Sequence, residues 1–319
     1  MQDNFGRQIE YLRLSVTDRC NLRCRYCMPE SGILKKKHET ILRNEEYLQI
    51  VETMATLGIK KVRITGGEPL VRRGLPSLIQ EIKRIEGIKD ISLTTNGILL
   101  ESQVEELKEA GITRMNISVD SLVPESYQQL TRGGNLASVL RGIEKARELG
   151  LSPIKINVVL IKGFNDHEVE HFLNYFDPSI EVRFIELMPI GEAAAWNKDR
   201  FLNLNEFLLN RLDLTPEPNH GNGGPCRYYR HTETGRWVGI INAISDHFCL
   251  SCNRLRVTAD GMLKTCLHST TEVDLKPYLH DPDGLKNSII NAIHSKPEAH
   301  QLNQEDVVPI LRNMYTIGG

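Results

Sequence analysis

The chain has 319 residues and a formal net charge of −2, with 40% hydrophobic and 25% charged residues. That size suits one large α/β domain or two smaller ones around an ample core, and the balance lacks the bulk basicity of a nucleic-acid binder. No stretch reaches the roughly 18 consecutive apolar residues of a membrane span and Met1-Gln-Asp-Asn-Phe-Gly is no signal peptide, so neither nucleic acid nor membrane is an expected partner and a cytoplasmic address follows.

The first predicted strand, over 12–17, leads into Cys20-Asn-Leu-Arg-Cys24-Arg-Tyr-Cys27, three thiols at C-x3-C-x2-C spacing. Thiolates are soft donors that select zinc, copper(I) or iron-sulfur clusters, and a cubane held by only three of them leaves one iron open for chemistry. The alternative is a structural zinc knuckle completed by a distant ligand, which usually shows paired C-x2-C units. A polar connection over 31–43, with Lys35, Lys36, Lys37 and His38, reads as a solvated loop.

From there the chain is rhythmic. Asn44 can cap a helix with Tyr47, Val51, Met54 and Leu57 on one face, and Gly58 can stop it. Strands are expected over 62–65, 91–94, 115–119, 156–160 and 182–187, alternating with helices over 75–85, 104–110, 136–149 and 169–176; Gly87, Gly111 and Gly150 stand where helix stops belong. Six strands separated by amphipathic helices imply parallel pairing through crossovers, as an open doubly wound sheet or a barrel. Unusual residues crowd the carboxyl ends of those strands, where parallel sheets bind ligands: the first cysteine triplet, Gly66-Gly67-Glu68-Pro69, Thr94-Thr-Asn-Gly97, Ser118-Val-Asp120 and Glu186-Leu-Met188. Adjacent glycines let backbone approach a ligand closely, although Gly-Gly-Glu-Pro alone is a turn.

Past residue 187 the rhythm fades into a loop over 189–197 and a helix over 204–212, and a second region starts here. A Pro/Gly/Asn-rich boundary over 215–225 precedes a hairpin whose strands fall over 227–230 and 236–241. Cys249-Leu-Ser-Cys252 with the more distant Cys266 makes a second triplet, for which zinc and iron both fit; His247, His268 or Cys226 could complete a zinc site. Cys226 otherwise reads as a buried small hydrophobe. The seven cysteines, an odd number with six in two tight triplets, favour ligation over disulfides and a reducing, iron-supplying compartment. Between Cys252 and Cys266, strand alternation puts Arg254 and Arg256 on one side, a pair of planar forks suited to a polyphosphate.

The two triplets, the Gly-Gly-Glu-Pro segment, the block Phe248-Cys-Leu-Ser-Cys-Asn-Arg-Leu-Arg256 and the Gly318-Gly319 terminus together resemble the GTP 3′,8-cyclases of the radical S-adenosylmethionine (SAM) superfamily, over essentially the whole chain. The resemblance implies an α/β fold, an incomplete (β/α)6 TIM-like barrel over 1–190 closed by an α+β C-terminal region over 191–319. It implies two [4Fe-4S] clusters, one on Cys20, Cys24 and Cys27 that cleaves SAM and one on Cys249, Cys252 and Cys266 that holds guanine at its open iron. Tyr26, Gly67, Ser118 and Met188 are the implied SAM contacts. Arg13, Arg63, Thr94, Lys155, Arg254, Leu255 and Arg256 are the implied GTP contacts, Lys155 being unusual in lying near a strand's start.

In the implied reaction an adenosyl radical takes hydrogen from ribose C3′ and the carbon radical closes onto C8 of the same guanine, with Gly318 and Gly319 reaching into the site to assist. Implied partners are an external electron donor and the downstream cyclic pyranopterin monophosphate synthase, and a homodimer is left open. Cys226 stands where alanine is common in relatives. Two other readings are a radical SAM peptide-modifying enzyme, which would usually carry more C-terminal cysteines, and a zinc-stabilised binding module.

Overall fold

The computed structural model describes residues 1–33, 38–196, 198–218, 220, 224–246, 248–300 and 312–318. Six strands, β1 (Tyr11–Ser15), β2 (Lys61–Thr65), β3 (Asp90–Thr95), β4 (Arg114–Ser118), β5 (Ile154–Leu160) and β6 (Glu181–Glu186), pair in parallel and in sequential order. They alternate with helices α1 (Asn44–Thr56), α2 (Leu75–Arg84), α3 (Leu100–Ala110), α4 (Pro124–Thr131), α5 (Leu136–Glu148) and α6 (Val169–Tyr175). The unbroken order decides between the two architectures left open above. A doubly wound sheet reverses its strand order at a switch point, whereas a sheet wound in one direction keeps its crossover helices on one face and leaves the other to line an interior.

The C-terminal region supplies α7 (Leu204–Leu209), β7 (Leu214–Pro216), β8 (Arg227–His231), β9 (Trp237–Ile241), β10 (Arg254–Val257), β11 (Met262–Lys264), β12 (Val273–Asp274), α8 (Pro282–His294) and α9 (Met314–Ile317). Its strands extend both edges of the core: β9 runs parallel to β6, β10 parallel to β1, and a single 12-stranded sheet results. The expected hairpin is β8–β9, with Arg227 opposite Ile240. The apolar faces of the strands and helices meet in one core, where Leu12, Leu14, Val62, Ile64 and Leu93 pack with Tyr47, Val51, Met54, Leu78 and Ile82.

Local details depart from expectation. The cap of α1 is Arg43, whose N–H donates to the Glu46 carboxylate at 2.7 Å, while Asn44 instead accepts from Arg72 at 2.8 Å. Besides the short α9, two helices had not been anticipated. One is α4, opened by Pro124 in the first turn; the other is α8, where Asp281 accepts the Gly284 N–H at 3.0 Å and Pro282 begins the turn.

Candidate active site

A cavity of about 600 Å³ occupies the inner face of the sheet, and both cysteine triplets line it. Its walls follow from strand alternation, since residues two apart face the same way. Thus Tyr11 and Arg13 of β1, Lys61 and Arg63 of β2, Arg114, Asn116 and Ser118 of β4, Lys155 and Asn157 of β5, Glu181 and Arg183 of β6, and Arg254 and Arg256 of β10 all point inward. Neighbouring rows bring like charges together: Arg13 sits between Arg63 and Arg256 in register.

The glycine pair after β2 is explained by the segment that leads into the first triplet. A side chain on Gly67 would meet the Arg19 carbonyl at 2.5 Å, and one on Gly66 the Thr17 carbonyl at 2.7 Å. The Gly67 N–H donates to the Thr17 carbonyl and the Glu68 N–H to the Arg19 carbonyl, each at 2.8 Å. Glu68 is buried and binds this turn to the next strand end, accepting from the Thr95 hydroxyl and Asn96 N–H at 2.7 Å and from the Leu70 N–H at 3.0 Å. Burial pushes its carboxyl up to about 7 against those bonds. Asp120 does the same work after β4. It accepts from the Tyr26 hydroxyl at 2.7 Å and the Val159 N–H at 2.8 Å, and burial raises it to about 6.

The first triplet is therefore held on three sides. Burial raises Cys20 to about 11 and Cys27 to about 12, and raises Cys24 well above its ordinary value; Cys27 and Cys20 raise Cys24 in addition, and Cys20 raises Cys27. Thiols in that state need a positive body among them before all three can ionise, and an iron cluster supplies it. In the second triplet burial raises Cys249 as well, but Cys252 has the opposite surroundings. Burial opposes ionisation of Cys252, but Lys296, Arg254 and Arg256 outweigh it and the thiol falls below its ordinary value. All seven cysteines are free thiols. Among the described residues no three His, Cys, Asp or Glu side chains gather as around a single metal ion. The fit for clusters rests on the donor sets, three soft ligands each, facing one cavity.

The cationic wall is under strain. Burial and Arg256 push Arg13 well below its ordinary value, burial and Arg254 push Arg256 down to about 10, and burial lowers Arg63 and Arg254. The Nε atoms of Arg63, Arg183 and Arg254 and the Thr94 hydroxyl are buried without a hydrogen-bond partner among the described residues. Such a wall is built to receive an anion. Opposite the charges, Lys155 pairs with Glu181 at 2.6 Å and donates to the Tyr228 hydroxyl at 3.0 Å, and Arg183 bonds the same hydroxyl.

Tyr26, Gly67, Ser118 and Met188 line the cavity near the first triplet's strand ends, and Arg13, Arg63, Thr94, Lys155, Arg254 and Arg256 line it elsewhere. Lys155 does so although it starts its strand, because the cavity runs the length of the inner face down to Tyr11 and Lys61. Leu255 is a correction: alternation turns its side chain away from both arginines into the core, at 0% exposure, so only its backbone could meet a ligand. Cys226 is a second correction, since its thiol lines the cavity. His268 lines it too, held neutral by burial and His300 with its value lowered to about 3, while His247 lies outside the described residues.

Gly318 is buried and its carbonyl accepts from Arg256 at 2.5 Å; Gly319 lies outside the described residues. Met314 and Tyr315, just before it, line the cavity, and the Tyr315 N–H reaches the Cys27 thiol. Arg183 and Asn157 had not been singled out, whereas Glu68 and Asp120 had been placed at the strand ends without a role of their own. The first two were within reach of sequence, because period-two polar residues in an otherwise apolar strand mark an inward face.

Residues 14–176 match the family described as the Radical SAM superfamily, and residues 180–302 that described as Molybdenum Cofactor Synthesis C. The GTP 3′,8-cyclase of Alkaliphilus oremlandii (strain OhILAs) is 50% identical over 321 residues, and that of Alkaliphilus metalliredigens (strain QYMF) 52% identical over 322, each alignment covering 100% of both chains. Among solved structures, Streptococcus suis SuiB bound to S-adenosylmethionine aligns with a TM-score of 0.62 at 14% identity, covering 93% of this chain and 74% of that one, a likeness of fold alone.

Proposed function

This chain belongs to the GTP 3′,8-cyclase family of the radical SAM superfamily, and from that premise we infer that it converts GTP to (8S)-3′,8-cyclo-7,8-dihydroguanosine 5′-triphosphate, the first step of molybdenum cofactor biosynthesis. The observation that carries the reading is the shared cavity, lined at once by Cys20, Cys24 and Cys27, by Cys249, Cys252 and Cys266, and by buried arginines.

Held by Cys20, Cys24 and Cys27, a [4Fe-4S] cluster would supply the single electron for reductive cleavage of SAM, the source of the radical chemistry directed at ribose C3′ of GTP. The chain's own residues do the rest by holding and enclosing. Tyr26, Gly67, Ser118 and Met188 seat SAM, and the Asp120 carboxylate fixes Tyr26 through its hydroxyl. Arg13, Arg63, Thr94, Lys155, Arg254, the Leu255 backbone and Arg256 hold GTP, the guanidiniums taking phosphate oxygens in pairs. Cys249, Cys252 and Cys266 would hold a second [4Fe-4S] cluster, whose open iron would offer guanine a ligation site.

No protein nucleophile is needed. The cavity keeps C3′ within attacking distance of C8 and keeps water away from the radical. Gly318 completes the enclosure, and Gly319, outside the described residues, is proposed to assist it. Residues 1–190 form the SAM-cleaving half and 191–319 the GTP-holding half. An external one-electron donor and a downstream cyclic pyranopterin monophosphate synthase are the proposed partners, and self-association into a homodimer belongs to the same proposal. No described helix is long and apolar enough to cross a membrane.

The test is 5′-deoxyadenosine release by reduced, iron-reconstituted protein given SAM with GTP, with ATP, or with no nucleotide. Strong release with GTP alone, with deuterium passing from 3′-deuterated GTP into the product, is expected; release indifferent to nucleotide would sink the substrate assignment.

Lys155 adds a pH dependence. Burial and Arg183 push its ammonium down to about 8 although Glu181 holds it up. Its charge is present below that value and lost as pH rises through it, so GTP affinity measured by calorimetry falls between pH 7 and 9. A Lys155→Gln protein, weaker throughout, loses less over the same window. Equal losses in both proteins would remove Lys155 from the phosphate site.

A further inference from the structure

Lys296 follows α8 and is 3% exposed. The partners of its Nζ are the Cys252 sulfur at 3.7 Å, the Arg254 carbonyl at 3.1 Å and the Thr265 carbonyl; no described carboxylate reaches it. A buried cation without a counter-ion is costly, and two carbonyl dipoles offset that cost only in part. Arg254 and Arg256 deepen the deficit, because they stand on the strand whose carbonyl Lys296 binds and add positive charge beside it. What this corner lacks is negative charge, and the sulfur that Lys296 touches is where charge arrives when the second triplet takes up iron.

We propose that Lys296 is a positioning residue and resident counter-ion of the second cluster, holding the chain segments of Cys252 and Cys266 together through the Arg254 and Thr265 carbonyls and stabilising the cluster's more negative, reduced state by its charge. The inference rests on the reading that the second triplet holds an iron-sulfur cluster. The physical basis is general: charge and hydrogen bonds donated to ligand sulfurs set cluster potentials, and outer-shell partners orient the ligands. The first triplet offers the contrast. Its neighbours are the carboxyl groups of Glu68 and Asp120, which act on its thiols with the opposite sign.

The experiment isolates the second cluster in full-length protein bearing Cys20→Ala, Cys24→Ala and Cys27→Ala, and follows its reduction by EPR in a redox titration. In that background Lys296→Met is expected to lower the reduced-to-oxidised ratio at a fixed potential about tenfold, about 59 mV for one electron. Lys296→Gln, which keeps a donor without charge, is expected to fall with it, and Lys296→Arg to stay near the parent. A parent-like potential in Lys296→Met or Lys296→Gln, with iron still bound, overturns the inference. Absence of iron from the parent itself overturns the two-cluster reading beneath it, which iron analysis separates from the former result.

Discussion

A Cys24→Ala protein is expected to release no 5′-deoxyadenosine from SAM yet to keep iron at the cluster proposed for Cys249, Cys252 and Cys266. The effect is total because three thiols are the minimum that fixes a cubane while leaving one iron open, and Cys24 lies between the other two in both sequence and charge coupling. Its loss leaves two ligands that cannot orient the open iron toward Tyr26, Ser118 and Met188. Iron analysis and Mössbauer spectra of the variant should show one class of cluster. Native-like SAM cleavage by this protein would show that the first triplet is not the radical-generating site.

Replacing Gly318 by alanine is expected to cut cyclisation by about 100-fold, the cost of displacing a positioned group by about 1 Å, with iron content and SAM binding unchanged. The backbone of Gly318 has φ +86°, a conformation that a side chain resists, and an added Cβ would meet the Thr65 hydroxyl at 2.4 Å and the Ser15 Cβ at 3.2 Å. Both neighbours are buried strand residues that cannot yield. The alanine therefore expels the tail from the ends of β1 and β2, and the carbonyl bonded by Arg256 goes with it. Product analysis should show cyclisation falling more than SAM cleavage, as for deletion of residues 318–319. A Gly318→Ala protein with native turnover would relieve the tail of any role.

What the sequence disclosed and what it hid divide along physical lines. All six core strands and both triplets were legible, because period-two alternation and ligand spacing are local signals. Whether those strands wound one way or two was not, since periodicity carries no order. Leu255 was misplaced by its company: the flanking arginines bind as a block in name, yet alternation sends the leucine to the opposite face. Asn44 failed as a cap because Glu46 served Arg43 instead, a competition settled by the Arg72 side chain from another element. The carboxyls Glu68 and Asp120 were placed at strand ends by the sequence, but their bonds stayed hidden for the same reason, since each joins loops from different strands. Helix α8 is different. Its Asp281 and Pro282 are a readable start that went unused.

The pairing of β1 with β10 constrains how this chain comes into being. Tyr11 lies opposite Arg254, so the outer edge of the first strand waits for a partner synthesised about 240 residues later, an interval of roughly 12–48 s at ~5–20 residues per second. During that time the edge is an open template for mispairing, and the first cysteine triplet stands beside it. Metal delivered to a nascent chain would meet the Cys20 loop before the wall that later shields it exists. Productive maturation should therefore follow release from the ribosome, and a chaperone that covers the β1 edge should raise the yield of iron-loaded protein more than it raises the yield of folded polypeptide.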